Sequence, residues 1–212
     1  MSVEKIKKIS KIKNSSLRYD LEVENNHNFF ANGILVHNCT IYPDGTCHAR
    51  SIDSKYHESR AWINRFANVG FLMSEAASKE NWRLCGENLF AEHSIHYDNL
   101  KSYFYLFGVW ELDICLSWDF TVEVANKLGI VHVPVLYEGK FDELVLKALP
   151  ATLTENQEGF VVRVKENIYP SGWNTCIAKW VRPNHVQTDE HWMNKPVVKN
   201  GLAPDAVKHD WM

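Results

Sequence analysis

The first 38 residues follow an extended pattern. Residues 17–24 alternate strictly between apolar and polar side chains, with the apolar ones at odd positions. A period of two predicts a strand with one buried face. Asn32-Gly33 stands between the apolar runs 29–30 and 34–36, and Asn-Gly in that setting is typical of a tight hairpin. Residues 1–38 are therefore predicted to form a small all-β unit that is too short to build a core alone.

Beyond residue 38, helical and extended patterns occur in irregular order. The turn at Pro43-Asp44-Gly45 is predicted to lead into a short strand that ends at about Arg50. Further strands are predicted over 103–110, 159–164 and 177–181. Helices are predicted over 59–73, with Trp62, Ile63, Phe66 and Phe71 toward the core, and over 119–128, with its end at Gly129. Such an order favours an antiparallel-dominated α+β domain over a doubly wound sheet. The expected fold class is therefore mixed, with an all-β fragment followed by an α+β domain.

The composition is that of a globular protein. It is 45% hydrophobic and 23% charged with a mean hydropathy of −0.31, which excludes a disordered or collagen-like chain. No apolar run approaches the roughly 20 residues of a transmembrane helix, and the polar N-terminus does not resemble a secretory signal. Five scattered cysteines without a Cys-x-x-Cys pair argue against a disulfide framework or a structural zinc site. We therefore expect a cytoplasmic protein that does not bind membranes.

Charge is distributed unevenly along the chain. Residues 1–38 carry six Lys and Arg against four Asp and Glu, whereas residues 39–212 carry seventeen against twenty-two. The N-terminal lysines fit a solvated strand face, a nucleic-acid arm or an edge that docks an acidic partner. Because the larger segment is acidic, overall charge gives no argument for phosphate binding.

Three reactive side chains follow one another at residues 37–39. The Asn38 side-chain amide can attack its own backbone carbonyl, which forms a succinimide and cuts the chain after Asn38. His37 can polarise that carbonyl or move protons. The Cys39 thiol can receive an acyl group as a thioester. The tetrapeptide Val36-His37-Asn38-Cys39 can also stand at a strand end by chance, so the upstream sequence decides the interpretation.

The sequence from 17 to 39 resembles the C-terminal splicing region of an intein. The resemblance is carried by the strand with Tyr19-Asp20, by His27-Asn28-Phe29, by Asn32-Gly33 and by the terminal His37-Asn38 followed by Cys39. It implies that Asn38 cyclises and that Cys39 is the branch nucleophile. It also implies that His37 and His27 assist Asn38. Because residues 1–36 contain neither the N-terminal nucleophile nor the Thr-x-x-His block of an intein, we expect residues 1–38 to be the C-terminal fragment of a split intein with a Hint-type fold.

Five segments after residue 38 suit a nucleotide, since aromatic rings stack on purines, carboxylates bind ribose hydroxyls or Mg²⁺, and cations neutralise phosphates. They are 50–54, 85–90, 106–110, 157–163 and 178–182. Each also has an ordinary structural interpretation as core or as a solvated strand end. In order and spacing they resemble the nucleotidyltransferase domain of phage-type RNA ligases, in particular the double-strand-sealing branch, over essentially all of residues 39–212.

The resemblance to RNA ligases implies roles for individual residues, an ATP-grasp-like α+β ligase fold, and ATP and Mg²⁺ as cofactors. Arg50 and Glu87 would contact the ribose of AMP, and Phe107 would stack on adenine. Glu158 would serve metal-assisted nucleotidyl transfer. Lys179 and Arg182 would contact phosphates.

The nucleophilic lysine of these ligases lies in a Lys-x-Asp-Gly motif, which the sequence does not contain. Cys39-Thr40-Ile41-Tyr42 matches the family's continuation after that motif, with Cys in place of the first Thr. The intein would therefore interrupt the ligase directly after its nucleophile motif. We expect a partner chain with the N-terminal intein fragment and the lysine motif, and a spliced ligase that seals nicked or double-stranded RNA in a bacterial or phage-infected cell.

Two alternatives stay open at this point. A DNA ligase or a capping-type nucleotidyltransferase shares the order of the motifs, and the nucleotide preference of the spliced product would separate these enzymes. A truncated, non-catalytic nucleic-acid-binding fragment with an inert intein piece belongs to a different functional class. The lack of a partner with an N-terminal intein fragment would favour it.

Overall fold

The computed structural model describes residues 6–11, 19–23, 30–31, 34–35, 39–48, 62, 65, 82–92, 95–154, 157–182 and 197–207. Its strands and helices confirm a mixed α+β fold in which strand pairing is antiparallel. None of the described helices is long and apolar enough to cross a bilayer.

The N-terminal strands form two separate hairpin-like pairs. β1 (Ile6–Lys11) pairs with β2 (Tyr19–Val23), and the alternating pattern around β2 had predicted that strand. β3 (Phe30–Ala31) pairs with β4 (Ile34–Leu35). Because Ala31 is opposite Ile34, two residues connect these strands, and the hairpin predicted at Asn32-Gly33 is confirmed.

The main sheet has five antiparallel strands in the order β6-β5-β7-β8-β9. The strands are β5 (Cys39–Ile41), β6 (Cys47–His48), β7 (Trp82–Asn88), β8 (Phe104–Glu111) and β9 (Ile114–Cys115). The turn between β5 and β6 is the predicted one at residues 43–45, and Gly45 supplies its positive φ of 80°. Gly is the residue that adopts this conformation without steric cost.

One face of the main sheet packs against helix α1 (Trp118–Leu128). Leu84, Leu106 and Val109 from the central strands share a buried cluster with Val124 and Ala125 of α1. The helix begins at Ser117, whose side chain accepts from a first-turn amide, and it ends at Gly129 with a φ of 65°. This confirms the helix predicted over 119–128 and its left-handed glycine end.

The opposite face carries a smaller cluster that includes Trp173, with Ile177 packed against it. The elements that follow α1 in the chain are helix α2 (Glu143–Ala148), β10 (Gly159–Arg163), helix α3 (Trp173–Cys176) and β11 (Ile177–Val181), with 3-10 turns at Leu149–Thr152 and Pro170–Gly172. Trp110 of β8 stacks on Trp173 of α3 with ring centroids 4.8 Å apart. Arg163 donates to the Cys115 sulfur and to the Leu116 carbonyl, and this anchors the β10–β11 hairpin to β9.

Some predictions differ from the structure in detail. The strand predicted over 103–110 is β8. Tyr105 and Phe107 on this strand are half-buried because they lie on the less covered face of the sheet. Trp62 is buried in a helical conformation, and most of the helix predicted over 59–73 lies outside the described residues. Strand β7 and helix α2 were not predicted.

Candidate functional site

Strand β7 positions Glu87 on the face of the main sheet that meets the β10–β11 hairpin. Cys85 belongs to the smaller cluster on that face, and side chains two residues apart on a strand share a face. Gly86 allows the close pairing at this point, because a Cβ there would lie 2.2 Å from the Phe104 ring. A larger residue at position 86 would therefore push β7 and Glu87 away from β8.

The β10–β11 hairpin brings Glu158 and Lys179 to the same place. Glu158 directly precedes β10, and its carbonyl accepts from the Arg182 backbone N–H at 2.9 Å. Lys179 lies opposite Val161 and two residues after Ile177, which packs on the smaller cluster. The side of β11 that carries Ile177 and Lys179 therefore faces the main sheet.

The hairpin needs glycine at its first position. A Cβ on Gly159 would lie 2.1 Å from the Trp180 carbonyl oxygen. Because backbone atoms on the partner strand cannot move aside as a flexible side chain can, the close pairing beside Glu158 depends on this glycine.

Glu87, Glu158 and Lys179 form one electrostatic cluster, which we call the carboxylate–lysine cluster. Burial, reinforced by repulsion from Glu158 and opposed by Lys179, raises the pKa of Glu87 to about 8. Burial lowers the pKa of Lys179, while both carboxylates oppose that change. At neutral pH the Glu87 carboxyl is largely protonated and can both donate and accept a hydrogen bond.

Tyr97 is a fourth member of this site that the sequence did not reveal. Burial and then repulsion from Glu158 and Glu87 raise the pKa of its phenol to about 12, so the neutral hydroxyl lies within the field of both carboxylates. Tyr97 lies between two of the five segments named in the sequence analysis, 85–90 and 106–110, and no pattern around it singles out the phenol.

Phe107 lies on the same face of the main sheet, where the pairing of β7 and β8 shifts register between Cys85 and Gly86. It packs against the smaller cluster and stays half-buried. This placement gives Phe107 both a packing contact and a surface on which a flat ring could stack.

Arg182 has a different setting from Lys179. Its guanidinium donates to the Thr154 carbonyl at 2.6 Å, and its backbone holds Glu158 as described above. It therefore fixes the loop that leads into Glu158.

The remaining residues predicted from the sequence are not brought into this cluster by the described structure. Arg50, His27, His37 and Asn38 lie outside the described residues. Cys39 is only 4% exposed and pairs with Gly86 as the first residue of β5.

The Glu158 carboxyl, the largely neutral carboxyl of Glu87 and a partly desolvated lysine fit a phosphorylated ligand with a divalent cation. Mg²⁺ commonly binds one or two carboxylates and takes further ligands from phosphates and water. Within the described ranges, no three His, Cys, Asp or Glu side chains lie close enough together to hold a metal ion alone. The chemistry of the cluster therefore suits a cation that arrives with a nucleotide.

Comparison with known proteins gives one match. The family model for RNA ligases matches residues 37–181. No curated protein and no solved structure matches the chain. The matched range includes Glu87, Phe107, Glu158 and Lys179, and it begins two residues before Cys39.

Proposed function

Because the chain belongs to the RNA ligase family, we propose that residues 39–212 form the C-terminal part of the nucleotidyltransferase domain of an ATP-dependent RNA ligase. The observation that carries this proposal is the carboxylate–lysine cluster, to which β7, the start of β10 and β11 each contribute one residue. After completion, the enzyme would join a 3′-hydroxyl to a 5′-phosphate through a lysyl-AMP intermediate.

Each member of the site has a role in this proposal. Glu87, largely neutral at pH 7, donates to one ribose hydroxyl and accepts from another. Lys179 neutralises phosphate charge, and Phe107 stacks on adenine. Arg50 remains a predicted ribose contact, and Arg182 remains a predicted phosphate contact.

Magnesium fits beside Glu158, where it would neutralise the phosphate charge of bound ATP. Glu158 would hold the ion from the protein side. Lys179, on the strand paired with β10, would orient the same phosphates.

The register of β5 supports a position for the missing nucleophile beside Glu87. Cys39 lies opposite Gly86, and Thr40 lies opposite Cys85. In an antiparallel pair, the residue joined in front of Cys39 continues toward Glu87. A Lys-x-Asp-Gly segment that ends shortly before Cys39 would therefore run along the carboxylate–lysine cluster.

Calorimetric titration of the full chain with ATP and Mg²⁺ tests the nucleotide site. We expect binding that Mg²⁺ strengthens, and Glu158→Gln should abolish the effect of Mg²⁺. Glu166→Gln, at an exposed acidic position in the loop that follows β10, is the matched control and should bind as the wild type does. Tighter binding of GTP than of ATP would favour a capping enzyme, and no binding of either would contradict the proposal.

A second function, protein splicing, has its own support. The family match begins at residue 37, next to the Asn38–Cys39 bond at which the intein and ligase resemblances meet. The strands β1–β4 on one side of that bond pair among themselves, and β5 on the other side pairs with the ligase strands. We infer that residues 1–38 are removed and that Cys39 becomes joined to a segment with the lysine motif.

The splicing steps follow from the residues at the junction. The thiolate of Cys39 attacks a thioester held by the N-terminal intein fragment, and the upstream thiol leaves. The Asn38 side-chain nitrogen then attacks the Asn38 carbonyl, which forms a succinimide and frees the Cys39 amine. That amine attacks the new thioester, so the thiol is regenerated and an amide bond remains. His37 and His27 move the protons.

Intact masses test the splicing proposal. The full chain is mixed with an N-terminal intein fragment fused to a Lys-x-Asp-Gly-bearing ligase segment. We expect a released 38-residue fragment and a ligated product, and Asn38→Ala should accumulate the branched intermediate. An unchanged Asn38–Cys39 bond with a free Cys39 thiol would instead favour an inert fragment.

A further inference from the structure

Asn200 lies in the C-terminal segment 197–207, beyond the end of the family match. It is only 3% exposed. Its backbone N–H donates to the Phe90 carbonyl at 3.1 Å, and its own carbonyl accepts from the Tyr103 hydroxyl at 2.9 Å. A buried amide with this many partners is positioned uniquely, because each unmade bond would cost free energy.

The Asn200 side chain ties together the two ends of the segment 89–97. Its Nδ2 donates to the Leu89 carbonyl at 2.9 Å and to the Ala91 carbonyl at 3.3 Å. Its Oδ1 accepts from the Tyr97 backbone N–H at 2.9 Å. Only a carboxamide offers both donors and an acceptor in this geometry.

Both ends of that segment border the carboxylate–lysine cluster. Glu87 precedes Leu89 by two residues at the end of β7. Tyr97 carries the phenol that lies within the field of Glu87 and Glu158. A neutral phenol beside these two acidic side chains can donate a hydrogen bond to a polar group of a nucleotide without adding charge.

Gly201 holds the C-terminal segment 197–207 against the Tyr97 end of the segment 89–97. Its N–H donates to the Tyr97 carbonyl at 2.6 Å, and its carbonyl accepts from the Leu100 N–H at 3.0 Å. A Cβ at this position would lie 2.9 Å from the Asp98 Cα. The backbone approach is therefore closer than any residue with a side chain would allow.

We propose that Asn200 is a positioning residue of the nucleotide site and that Tyr97, which it holds in place, is a further nucleotide contact. The proposal rests on the proposed nucleotide-binding function. In it, the C-terminal segment sets the distance between Glu87 and the Tyr97 hydroxyl, so that both side chains face the bound nucleotide.

Two measurements on the full chain test this positioning role. The first follows the Glu87 carboxyl by ¹³C NMR as a function of pH, without nucleotide, with Glu87→Gln to assign the signal. The second measures the affinity for ATP and Mg²⁺ by calorimetry. Each is made for the wild type, Asn200→Ala and Tyr97→Phe. Val124→Ala is the matched control, because it removes buried side-chain volume on α1 and lowers stability away from the site.

We expect Asn200→Ala to move the Glu87 titration from about pH 8 toward the ordinary carboxyl range and to weaken ATP binding about tenfold. Tyr97→Phe should weaken ATP binding with little change in melting temperature, and Val124→Ala should change neither readout. Should Asn200→Ala not fold, Tyr103→Phe removes only the bond to the Asn200 carbonyl and should act in the same direction.

The outcomes separate the two proposals. If Asn200→Ala and Val124→Ala behave alike in both measurements, Asn200 is an ordinary core residue and the inference is wrong. If the Glu87 titration moves only in Asn200→Ala but the wild type does not bind ATP, the positioning role stands and the nucleotide function fails. If the wild type binds ATP and neither Asn200→Ala nor Tyr103→Phe alters either measurement, the nucleotide function stands and the positioning role of Asn200 fails.

Discussion

Glu87→Gln should stabilise the fold, and increasingly so as pH rises. The pKa of Glu87 is raised to about 8, first by burial and then by Glu158. The unfolded chain loses the same proton near the ordinary value of 4.5. Between these two pH values the folded state binds one proton more than the unfolded state, so this group makes the free energy of unfolding fall as pH rises.

The size of the effect follows from the two pKa values. Each pH unit in the window corresponds to about 1.4 kcal/mol, which gives an upper limit of about 5 kcal/mol by pH 8. Water entry and relaxation around the carboxyl reduce this limit, and we expect a gain of about 1–3 kcal/mol for Glu87→Gln near pH 8.5. For a domain of this size, each kcal/mol raises the melting temperature by about 2–4 °C.

Thermal melts of the full chain from pH 5 to 9 measure this gain. The melting temperature of Glu87→Gln should exceed that of the wild type by a difference that grows as pH rises to about 8 and then stays constant. Glu166→Gln, at an exposed position, should show no such growth. A Glu87→Gln variant whose advantage is absent or independent of pH would refute the assignment of a buried, largely protonated carboxyl.

Three further substitutions test the site and its scaffold. Lys179→Met should weaken ATP binding about 10- to 100-fold in calorimetry, because a charge-assisted contact to phosphate is lost; an unchanged affinity would remove Lys179 from the site. Phe107→Ala should weaken ATP binding by about 1–3 kcal/mol through lost stacking. Phe141→Ala, at a side chain that is 78% exposed, should leave ATP binding unchanged. Equal effects of the two substitutions would contradict the stacking of Phe107 on adenine. Gly159→Ala should have a much lower melting temperature than Gly139→Ala. A Cβ at position 159 would lie 2.1 Å from a backbone carbonyl oxygen, whereas a Cβ at position 139 would meet only the end of a tyrosine side chain. Similar melting temperatures for the two variants would refute the close pairing.

Local patterns predicted the elements whose signals are contained within a few residues. The hairpin of β3 and β4 follows from Asn32-Gly33, and the end of α1 follows from Gly129. Strand β7 was missed because Gly86, Glu87 and Asn88 are disfavoured in strands, and the cross-strand contacts of a central strand override that preference. Helix α2 has no buried residue, so it lacks the apolar stripe that reveals a helix.

Only part of the candidate site could be predicted from the sequence. The resemblance singled out Glu87, Glu158 and Lys179, and the structure brings these three together. Tyr97 and Asn200 were missed because their relation is a single hydrogen bond between residues 103 positions apart. No pattern of polarity or spacing along the chain encodes such a contact.

Covalent labelling by ATP tests whether the joined chain is a self-adenylating ligase. Intact mass is measured after incubation with ATP and Mg²⁺ for the chain alone and for the product in which Cys39 follows a Lys-x-Asp-Gly segment. We expect one AMP on the joined product and none on the chain alone, because the 212 residues contain no Lys-x-Asp-Gly motif. Adenylation of the chain alone, or a joined product that never takes up AMP, would contradict it.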